Sequence, residues 1–299
     1  MREIQRQRPD TPATVSELPG PFPALGPHSL VVPRAVAESS SLETTQSASE
    51  SLVEALWALG VRRAYAVFGG GIAPFCEALS RSPIQLLHFR HETGAAFAAV
   101  EDSLASGQLT VVVATTGPGI TNLYTGMAAA RSEGARVLFV SGVTSAAQRG
   151  RGAFQETSAS STLAPLFDKG SVFHYAGVLE DPAELAPTVS RLASGMTREN
   201  GFVAHLGLPM SLQTARASRT SRPAPTTVER GGVLPEAVER CVEILGREPF
   251  VIWAGFGARH AARGVRQLAE RTGAHVFASP RAKGVMPENH PLYLGVSGL

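Results

Sequence analysis

The most constraining feature of the sequence is a regular alternation of short apolar segments with helical segments of ten or more residues. The apolar segments are continuous, and they lie at 64–68, 84–89, 110–115, 136–141 and 202–206. A strand that is apolar on both faces is covered on both faces, and long helical connections make successive strands parallel. The pattern therefore predicts an α/β domain built on a doubly wound parallel sheet.

The same pattern divides the 299-residue chain into four parts. Residues 1–46 are rich in Pro and Ser without an apolar period, which predicts a disordered tail. Residues 47–210 hold the α/β domain, and 211–232, rich in Ser, Thr, Pro and Arg, are predicted to be an interdomain linker. Residues 233–299 begin a second α/β domain. Because two strands with one crossover helix cannot close a core, this domain is expected to be incomplete.

Composition excludes several classes of protein. A formal net charge of +2 gives no clustered basic excess of the kind that nucleic-acid binding needs. Cys76 and Cys241, the two cysteines, stand alone, so neither a disulfide framework nor a thiolate metal site is expected. No apolar stretch reaches the length of a membrane span. These features predict a cytoplasmic protein with no membrane or nucleic-acid partner.

Glu92 is the strongest candidate for chemistry. It follows His91 directly after a predicted strand and at the start of a predicted helix, where ligands of open parallel sheets sit. The next residues are small or apolar, so a carboxyl group there is poorly solvated and suited to hold or hand over a proton. An ordinary helix-start role, favoured by the helix dipole, explains an acidic residue at this position equally simply.

Glycine-rich turns follow other predicted strands. Gly69, Gly70 and Gly71 come after the first strand, and the Thr-Thr-Gly-Pro-Gly turn at 115–119 comes after the third. Bare backbone at such turns admits a ligand or a second helix at close range. No phosphate loop, nucleophile elbow or histidine pair with metal-ligand spacing is present, so P-loop hydrolases, serine-type hydrolases and a metal cage within this chain are disfavoured.

Taken in order, these segments resemble the N-terminal half of thiamine-diphosphate-dependent enzymes of the acetolactate synthase type. The segments that carry the resemblance are 51–56, 69–74, 91–96, 116–122 and 152–156, with 280–284 and 287–295 resembling the middle domain of that family. The resemblance implies that the first domain is a pyrimidine-binding domain and that the second is a partial middle domain of Rossmann-like type.

The resemblance also implies roles for individual residues. Glu92 matches the carboxyl group that hydrogen-bonds the cofactor's aminopyrimidine ring and so activates the cofactor. The positions that match the lining of the pyrimidine pocket are Gly69, Gly70, Thr116 and Asn122. The positions that match a loop on the substrate side are Phe154 and Gln155. The implied substrate is a small 2-oxo acid such as pyruvate, which the enzyme decarboxylates or joins to a second carbonyl compound.

Three positions depart from the pattern of the family. Phe68 stands where proline commonly precedes the glycines, Thr93 stands where glutamine often follows the glutamate, and 101–103 replace an Asp-Gly-Tyr-like stretch. These departures put acetolactate synthase identity in doubt. Another carboligase, such as a 2-hydroxyacyl lyase, is therefore an alternative.

Nothing in the sequence matches the Gly-Asp-Gly motif with which the family holds Mg²⁺ and the diphosphate. The resemblance therefore implies that a missing domain or a partner chain holds Mg²⁺ and the diphosphate. The expected partner is either a second copy of this chain in a homo-oligomer or a second chain that supplies the diphosphate-binding domain. The chain alone is expected to be inactive. FAD is a possible further cofactor because acetolactate synthases carry it in the middle domain. A truncated, non-catalytic remnant that only binds partners is the remaining alternative.

Overall fold

The structure is a computed structural model, and it describes residues 46–156, 172–218 and 232–297. The chain divides into two compact units, Met1–Thr227 and Val228–Leu299. Apart from Gln46, the predicted tail lies outside the described residues, and so does most of the predicted linker. Over the described part of the chain, no helix is both long and apolar enough to cross a membrane.

The first unit contains eight described strands and six described α-helices. The strands are β1 Gln46–Ser47, β2 Arg63–Ala66, β3 Gln85–His88, β4 Thr110–Ala114, β5 Arg136–Val143, β6 Tyr175–Val178, β7 Phe202–Pro209 and β8 Arg216–Ala217. The helices are α1 Ala48–Ala58, α2 Ala73–Ser80, α3 Glu92–Ser106, α4 Pro118–Glu133, α5 Leu185–Gly195 and α6 Met210–Gln213.

Six strands of this unit form one parallel sheet in the order β3-β2-β4-β5-β7-β6. Every residue of β4 and of β7 is buried, as continuous apolar strands require. Helices α1, α2 and α5 pack on one face of the sheet, whereas α3 and α4 pack together on the other. The predicted doubly wound parallel sheet is confirmed.

Strand β6 was not expected from the sequence. It is four residues long, contains Gly177, and lies at the edge of the sheet, where no residue of it is fully buried. An edge strand has one neighbour and one partly solvated side, so it does not need the continuous apolar run that marks a central strand. The sequence pattern therefore missed β6, whereas it predicted β3 at the other edge from the segment at 84–89.

The first helix begins with a reciprocal pair of hydrogen bonds. The Glu50 backbone N–H donates to Ser47 Oγ at 3.2 Å, and the Ser47 backbone N–H donates to Glu50 Oε2 at 2.8 Å. This capping box satisfies two amides that the helix itself leaves unpaired. Strand β1, which precedes it, pairs antiparallel with β8, so both ends of the first unit are tied together.

Residues 211–218 differ from the prediction of a linker that starts at 211. They complete α6 and form β8, and Leu212, Gln213 and Ala217 are buried against the first unit. The polar composition that indicated a linker belongs to these residues too, but β8 finds its backbone partner in β1, which is more than 160 residues away in the sequence. Composition alone carries no signal for such a long-range pair.

The second unit holds two described α-helices and three strands. They are α7 Pro235–Leu245, β9 Val251–Ala254, α8 Ala262–Thr272, β10 His275–Ala278 and β11 Tyr293–Val296. The strands form a parallel sheet in the order β11-β10-β9, so the sequence prediction of two strands missed β11. Val276, Ala269 and Met286 belong to its small core. All residues of α7 are exposed, including Val238 and Val242.

Candidate functional site

Three strand-to-helix junctions of the first unit meet at the carboxyl edge of its sheet. Strand β2 lies between β3 and β4. The chain therefore passes from β2 to its neighbour β3 on one side, and then crosses to β4 on the other side of β2. Such a reversal opens a crevice at the carboxyl ends of the strands, where ligands of doubly wound folds bind. The junctions are Gly69 to Gly71 after β2, His91 and Glu92 after β3, and Thr115 to Gly119 after β4. We call this site the carboxyl-edge crevice.

Glu92 is buried at the first position of α3, with 8% of its surface exposed. The Asn122 side-chain amide, in the first turns of α4, donates from Nδ2 to Glu92 Oε2 at 3.0 Å. Glu92 and Asn122, which the sequence predicts as site residues, therefore lie in contact although 30 residues separate them.

Thr93 joins the same two helices through a second hydrogen bond. Its Oγ1 donates to the Asn122 carbonyl oxygen at 2.6 Å, while its backbone N–H donates to His91 Nδ1 at 3.2 Å. Sequence analysis singled out Thr93 only as a departure from a family pattern. In the structure it fixes Asn122, and through Asn122 it orients the Glu92 carboxyl group.

The second carboxyl oxygen of Glu92, Oε1, lies near Gly119 at the start of α4. Within the described residues Oε1 accepts no hydrogen bond, and it is not fully enclosed. A Cβ at Gly119 would lie 3.6 Å from Oε1 and 3.1 Å from Thr115 Cγ2. Glycine at position 119 thus keeps a side chain away from Oε1, while Asn122 holds the other oxygen, Oε2. This arrangement suits a ligand that presents an N–H or O–H group to Oε1.

The three consecutive glycines play two different roles. A Cβ at Gly69 would lie 2.5 Å from Thr115 Cβ, and a Cβ at Gly71 would overlap Thr116 Oγ1, so close packing excludes side chains at both positions. At Gly70 no atom lies within 4 Å of the Cβ position. The structure therefore brings Gly69, Gly70 and Thr116 together, and Gly70 is the position with open space beside its backbone.

Gln213 is a residue of this region that sequence analysis missed. Its side chain is buried, and Nε2 donates to the carbonyl oxygens of Gly71 and Leu208 at 2.8 and 2.9 Å. Its Oε1 accepts from the Phe75 backbone N–H at 3.4 Å. One side chain thus ties the glycine turn to the end of β7 and the start of α2. The only sequence signal was a glutamine soon after an apolar strand, which a linker assignment concealed.

Replacing Gln213 by leucine is expected to lower the free energy of unfolding by about 3 kcal/mol, because two buried carbonyl groups lose their donor. Urea denaturation of the variant measures the change. Gln85→Leu is the matched control, since Gln85 is exposed on β3 and its replacement leaves no buried group unpaired. An unfolding free energy equal to that of the wild type in Gln213→Leu would contradict the assigned role.

The predicted substrate-side residues lie on the loop that follows β5. Gln155 has a left-handed backbone with φ of 56°, and it packs on Gly117, where a Cβ would lie 2.7 Å from Gln155 Cβ. The loop therefore contacts the Thr115 to Gly119 turn. Phe154 is 88% exposed, so its ring is available to another molecule or segment. Residues 157–171, which follow, lie outside the described residues.

Among the residues that the structure describes, no cluster of three or more His, Cys, Asp or Glu side chains could hold a metal ion. Among the described junction residues of the carboxyl-edge crevice, Glu92 is the one acidic residue.

Comparison with known proteins identifies the family. Residues 46–163 match the thiamine pyrophosphate enzyme N-terminal TPP binding domain, and residues 236–299 match the central domain of the same enzymes. The chain belongs to the thiamine pyrophosphate enzyme family. The predicted resemblance is thereby confirmed, and the carboxyl-edge crevice lies within the N-terminal TPP binding domain.

Relatives of this thiamine pyrophosphate enzyme chain include acetolactate synthases. It is 31% identical over 260 residues to a probable acetolactate synthase large subunit of Methanocaldococcus jannaschii, covering 84% of this chain and 43% of that protein. It is 32% identical over 252 residues to acetolactate synthase isozyme 2 large subunit of Escherichia coli, covering 83% and 44%. It is 31% identical over 253 residues to sulfoacetaldehyde acetyltransferase of Alcaligenes xylosoxydans xylosoxydans, covering 84% and 41%. The chain thus spans less than half the length of these relatives.

Proposed function

We propose that this chain is the thiamine-diphosphate-activating component of an acetolactate-synthase-like enzyme that acts on 2-oxo acids. One observation carries the proposal: Glu92 is a buried carboxyl group with Oε2 held by Asn122 and Oε1 left to face the crevice. A match to the TPP binding domain supplies the identity of the ligand. The ordinary helix-start role does not by itself account for the hydrogen bond by which Asn122 holds one oxygen of this carboxyl group and leaves the other without a partner among the described residues.

The crevice fits the pyrimidine end of thiamine diphosphate. Open space beside Gly70 leaves room for a flat ring, and Glu92 Oε1 offers a hydrogen-bond acceptor for a ring N–H. The residues that would hold the ring are Gly69, Gly70, Glu92, Thr116 and Asn122. When bound, the cofactor supplies a nucleophilic carbon and an electron sink for cleaving and forming carbon–carbon bonds.

Glu92 would act by accepting a hydrogen bond at Oε1 from the ring nitrogen of the cofactor. Burial makes a hydrogen bond to this oxygen stronger than one in water, and the Asn122 amide keeps the carboxyl group in a single orientation. The α3 N-terminus stabilises negative charge on the same group through its unpaired amides. Glu92 thereby tunes the protonation of the ring nitrogen that it contacts, which is a general acid–base role.

The substrate is proposed to be a small 2-oxo acid such as pyruvate. Two of the relatives are acetolactate synthases by name, one is an acetyltransferase, and a further relative is named a probable 2-ketoarginine decarboxylase. Phe154 and Gln155 would face the substrate, because their loop packs on the Gly117 turn beside the crevice. A 2-hydroxyacyl lyase activity is the alternative within the same chemistry.

Mg²⁺ and the diphosphate are proposed to be held by a polypeptide segment other than the residues described here. The N-terminal and central domains match this chain, and relatives extend well beyond the matched region. A separate polypeptide would provide that segment within one assembly, which can hold several copies of this chain. Because a divalent cation offsets the diphosphate charge, the chain alone should bind the cofactor weakly.

A complementation assay tests this proposal. The chain is mixed with a polypeptide that carries the Gly-Asp-Gly diphosphate site of the family, together with Mg²⁺ and thiamine diphosphate. Pyruvate consumption is expected in the mixture and in neither polypeptide alone, because each holds one end of the cofactor. If a mixture shown to associate turns over no 2-oxo acid, the proposed activity is wrong.

A non-catalytic, partner-binding role is the second candidate. It is favoured by the exposed apolar side chains of α7, among them Val238, Val242 and Leu245, which a partner could cover. Association in the complementation mixture, combined with activity that does not depend on Glu92, would support this role instead of the catalytic one.

FAD binding by the second unit is a separate proposal that rests on the likeness to acetolactate synthases. At Gly255 and Gly257, after β9, no atom lies within 4 Å of the Cβ position, so the backbone there can be approached closely. The Phe256 ring lies under the guanidinium groups of Arg259 and Arg281, at 3.9 and 4.6 Å. A flavin absorption spectrum in the purified assembly is expected, and a colourless assembly after reconstitution with FAD would contradict it.

A cytoplasmic location is proposed because Cys76 and Cys241 are unpaired.

A further inference from the structure

Residues 144–156, which we call the β5 loop, follow strand β5 and carry Phe154 and Gln155. One end of the loop is fixed by the strand, and the other end packs on Gly117 through Gln155. Apart from a short 3₁₀ turn at Ala146–Gln148, these described residues form no helix or strand. The position of the loop therefore depends on a few individual contacts and not on a ladder of backbone hydrogen bonds.

Arg149 anchors the middle of the β5 loop to a part of the unit outside it. Its Nε donates to the Thr144 carbonyl oxygen at 3.1 Å, and its guanidinium group forms an ion pair with the Glu180 carboxyl group. Glu180 follows β6, and in the sheet β7 lies between β5 and β6. The Arg149 side chain therefore links the loops after two strands that are not neighbours.

The carboxyl partner of Arg149 is itself held in place. The Glu180 backbone N–H donates to Glu184 Oε2 at 3.4 Å, and Glu184 directly precedes α5. The Arg149 and Glu180 side chains are 33% and 36% exposed, and ion pairs at that exposure add little to the free energy of unfolding. The pair is therefore suited to fix the position of a loop and contributes little to the stability of the fold.

A second contact transmits the position of Arg149 to the end of the loop. The backbone N–H of Gly150, the next residue, donates to Glu156 Oε1 at 2.6 Å. Glu156 adjoins Gln155, whose backbone φ of 56° is one that residues with a side chain keep only where their surroundings hold it. The place of Gln155 beside Gly117 therefore depends on where Arg149 is held.

We propose that Arg149 and Glu180 are positioning residues for the substrate side of the carboxyl-edge crevice. Their ion pair holds the β5 loop so that Gln155 stays against the turn at Gly117. This inference rests on the proposed function, in which Phe154 and Gln155 face the 2-oxo acid. Without the ion pair the loop takes other positions, so productive binding of the 2-oxo acid weakens while binding of thiamine diphosphate is unchanged.

Steady-state kinetics of the assembled enzyme tests the positioning role with single and exchanged charges. Arg149→Glu and Glu180→Arg should each lower kcat/KM for pyruvate by about tenfold, at an unchanged half-saturating concentration of thiamine diphosphate. The double variant Arg149→Glu/Glu180→Arg restores opposite charges and should recover most of the wild-type value. Arg81→Glu is the matched control, because Arg81 forms an exposed ion pair with Glu77 of α2, and its kcat/KM should equal that of the wild type.

Hydrogen exchange of the purified chain, measured by mass spectrometry, tests the anchoring without any activity. Amides of the β5 loop should exchange about two- to fivefold faster in Arg149→Glu than in the wild type, which is the range that one exposed ion pair provides. Amides of α2 should keep the wild-type rate in this variant, and the double variant should return the loop to that rate.

The two measurements separate failure of this inference from failure of the proposed function. Unchanged loop exchange in Arg149→Glu would overturn the anchoring, and a wild-type kcat/KM in its active assembly would overturn the positioning role. Losses in both single variants with no recovery in the double variant would show that the ion pair is not their cause, which also overturns the proposal. A wild-type assembly that turns over no 2-oxo acid would instead contradict the proposed function, and hydrogen exchange would still decide whether the ion pair holds the loop.

Discussion

Replacing Glu92 by glutamine is expected to lower turnover of the assembled enzyme by about 10²- to 10⁴-fold, the usual contribution of a general acid or base. Glutamine has the same shape, and its amide oxygen can accept from Asn122 Nδ2, so the contact that orients the side chain survives. What is lost is the ability of position 92 to carry a negative charge or a transferable proton. Steady-state 2-oxo acid consumption at saturating thiamine diphosphate and Mg²⁺ measures the effect.

Glu101→Gln is the matched control for this prediction. Glu101 lies on the same helix as Glu92 but is exposed, so its variant should retain the activity of the wild type. Thermal unfolding of both variants checks that neither change alters the fold. Full activity in Glu92→Gln would remove the catalytic role and favour the partner-binding alternative.

Replacing Gly126 by alanine is expected to lower the free energy of unfolding by about 2 kcal/mol. The new Cβ would overlap the Cβ of Ala96 where α4 crosses α3, and it would lie 3.4 Å from the Ala96 Cα. Both atoms belong to packed helices, so the helices must move apart, which costs more than the better helix propensity of alanine returns. Urea denaturation followed by circular dichroism measures the difference.

The same substitution at Gly94 provides a contrast of opposite sign. Gly94 lies on α3, and the nearest heavy atom to its Cβ position is Phe89 Cδ1 at 3.6 Å, an ordinary contact. Gly94→Ala should therefore stabilise the first unit by up to about 1 kcal/mol. Equal effects at the two glycines would show that α3 and α4 are not packed as described. The spacing of these helices also sets the distance between Glu92 and Asn122, so Gly126→Ala should weaken cofactor binding too.

The central part of the fold could be predicted from the sequence, because its signals are local. Continuous apolar runs identify β2, β4, β5 and β7, and the Gly-rich turns fall where those strands end. The edge strand β6 has only a short run interrupted by Gly177, and β11 was missed although residues 292–296 around it are apolar apart from Gly295. The strands β1 and β8 form through a pairing between opposite ends of the first unit, which local pattern cannot show.

The candidate site was predictable in part for a similar reason. Glu92 stands out because it lies just after a strand end and precedes a run of small and apolar residues. Its contact with Asn122 is set by the packing of α3 on α4, and the role of Thr93 depends on that contact. Gln213 reaches the glycine turn from a segment of polar composition, so only the folded chain shows what it does.

The most direct test of the account measures activation of the cofactor itself. The exchange of the thiazolium C2 proton for deuterium is followed by NMR in the assembled enzyme with Mg²⁺ and thiamine diphosphate. The account predicts fast exchange with the wild-type chain and exchange slower by about 10²-fold or more with Glu92→Gln, at equal cofactor occupancy. Equal exchange rates in the two assemblies would contradict the claim that Glu92 activates the cofactor.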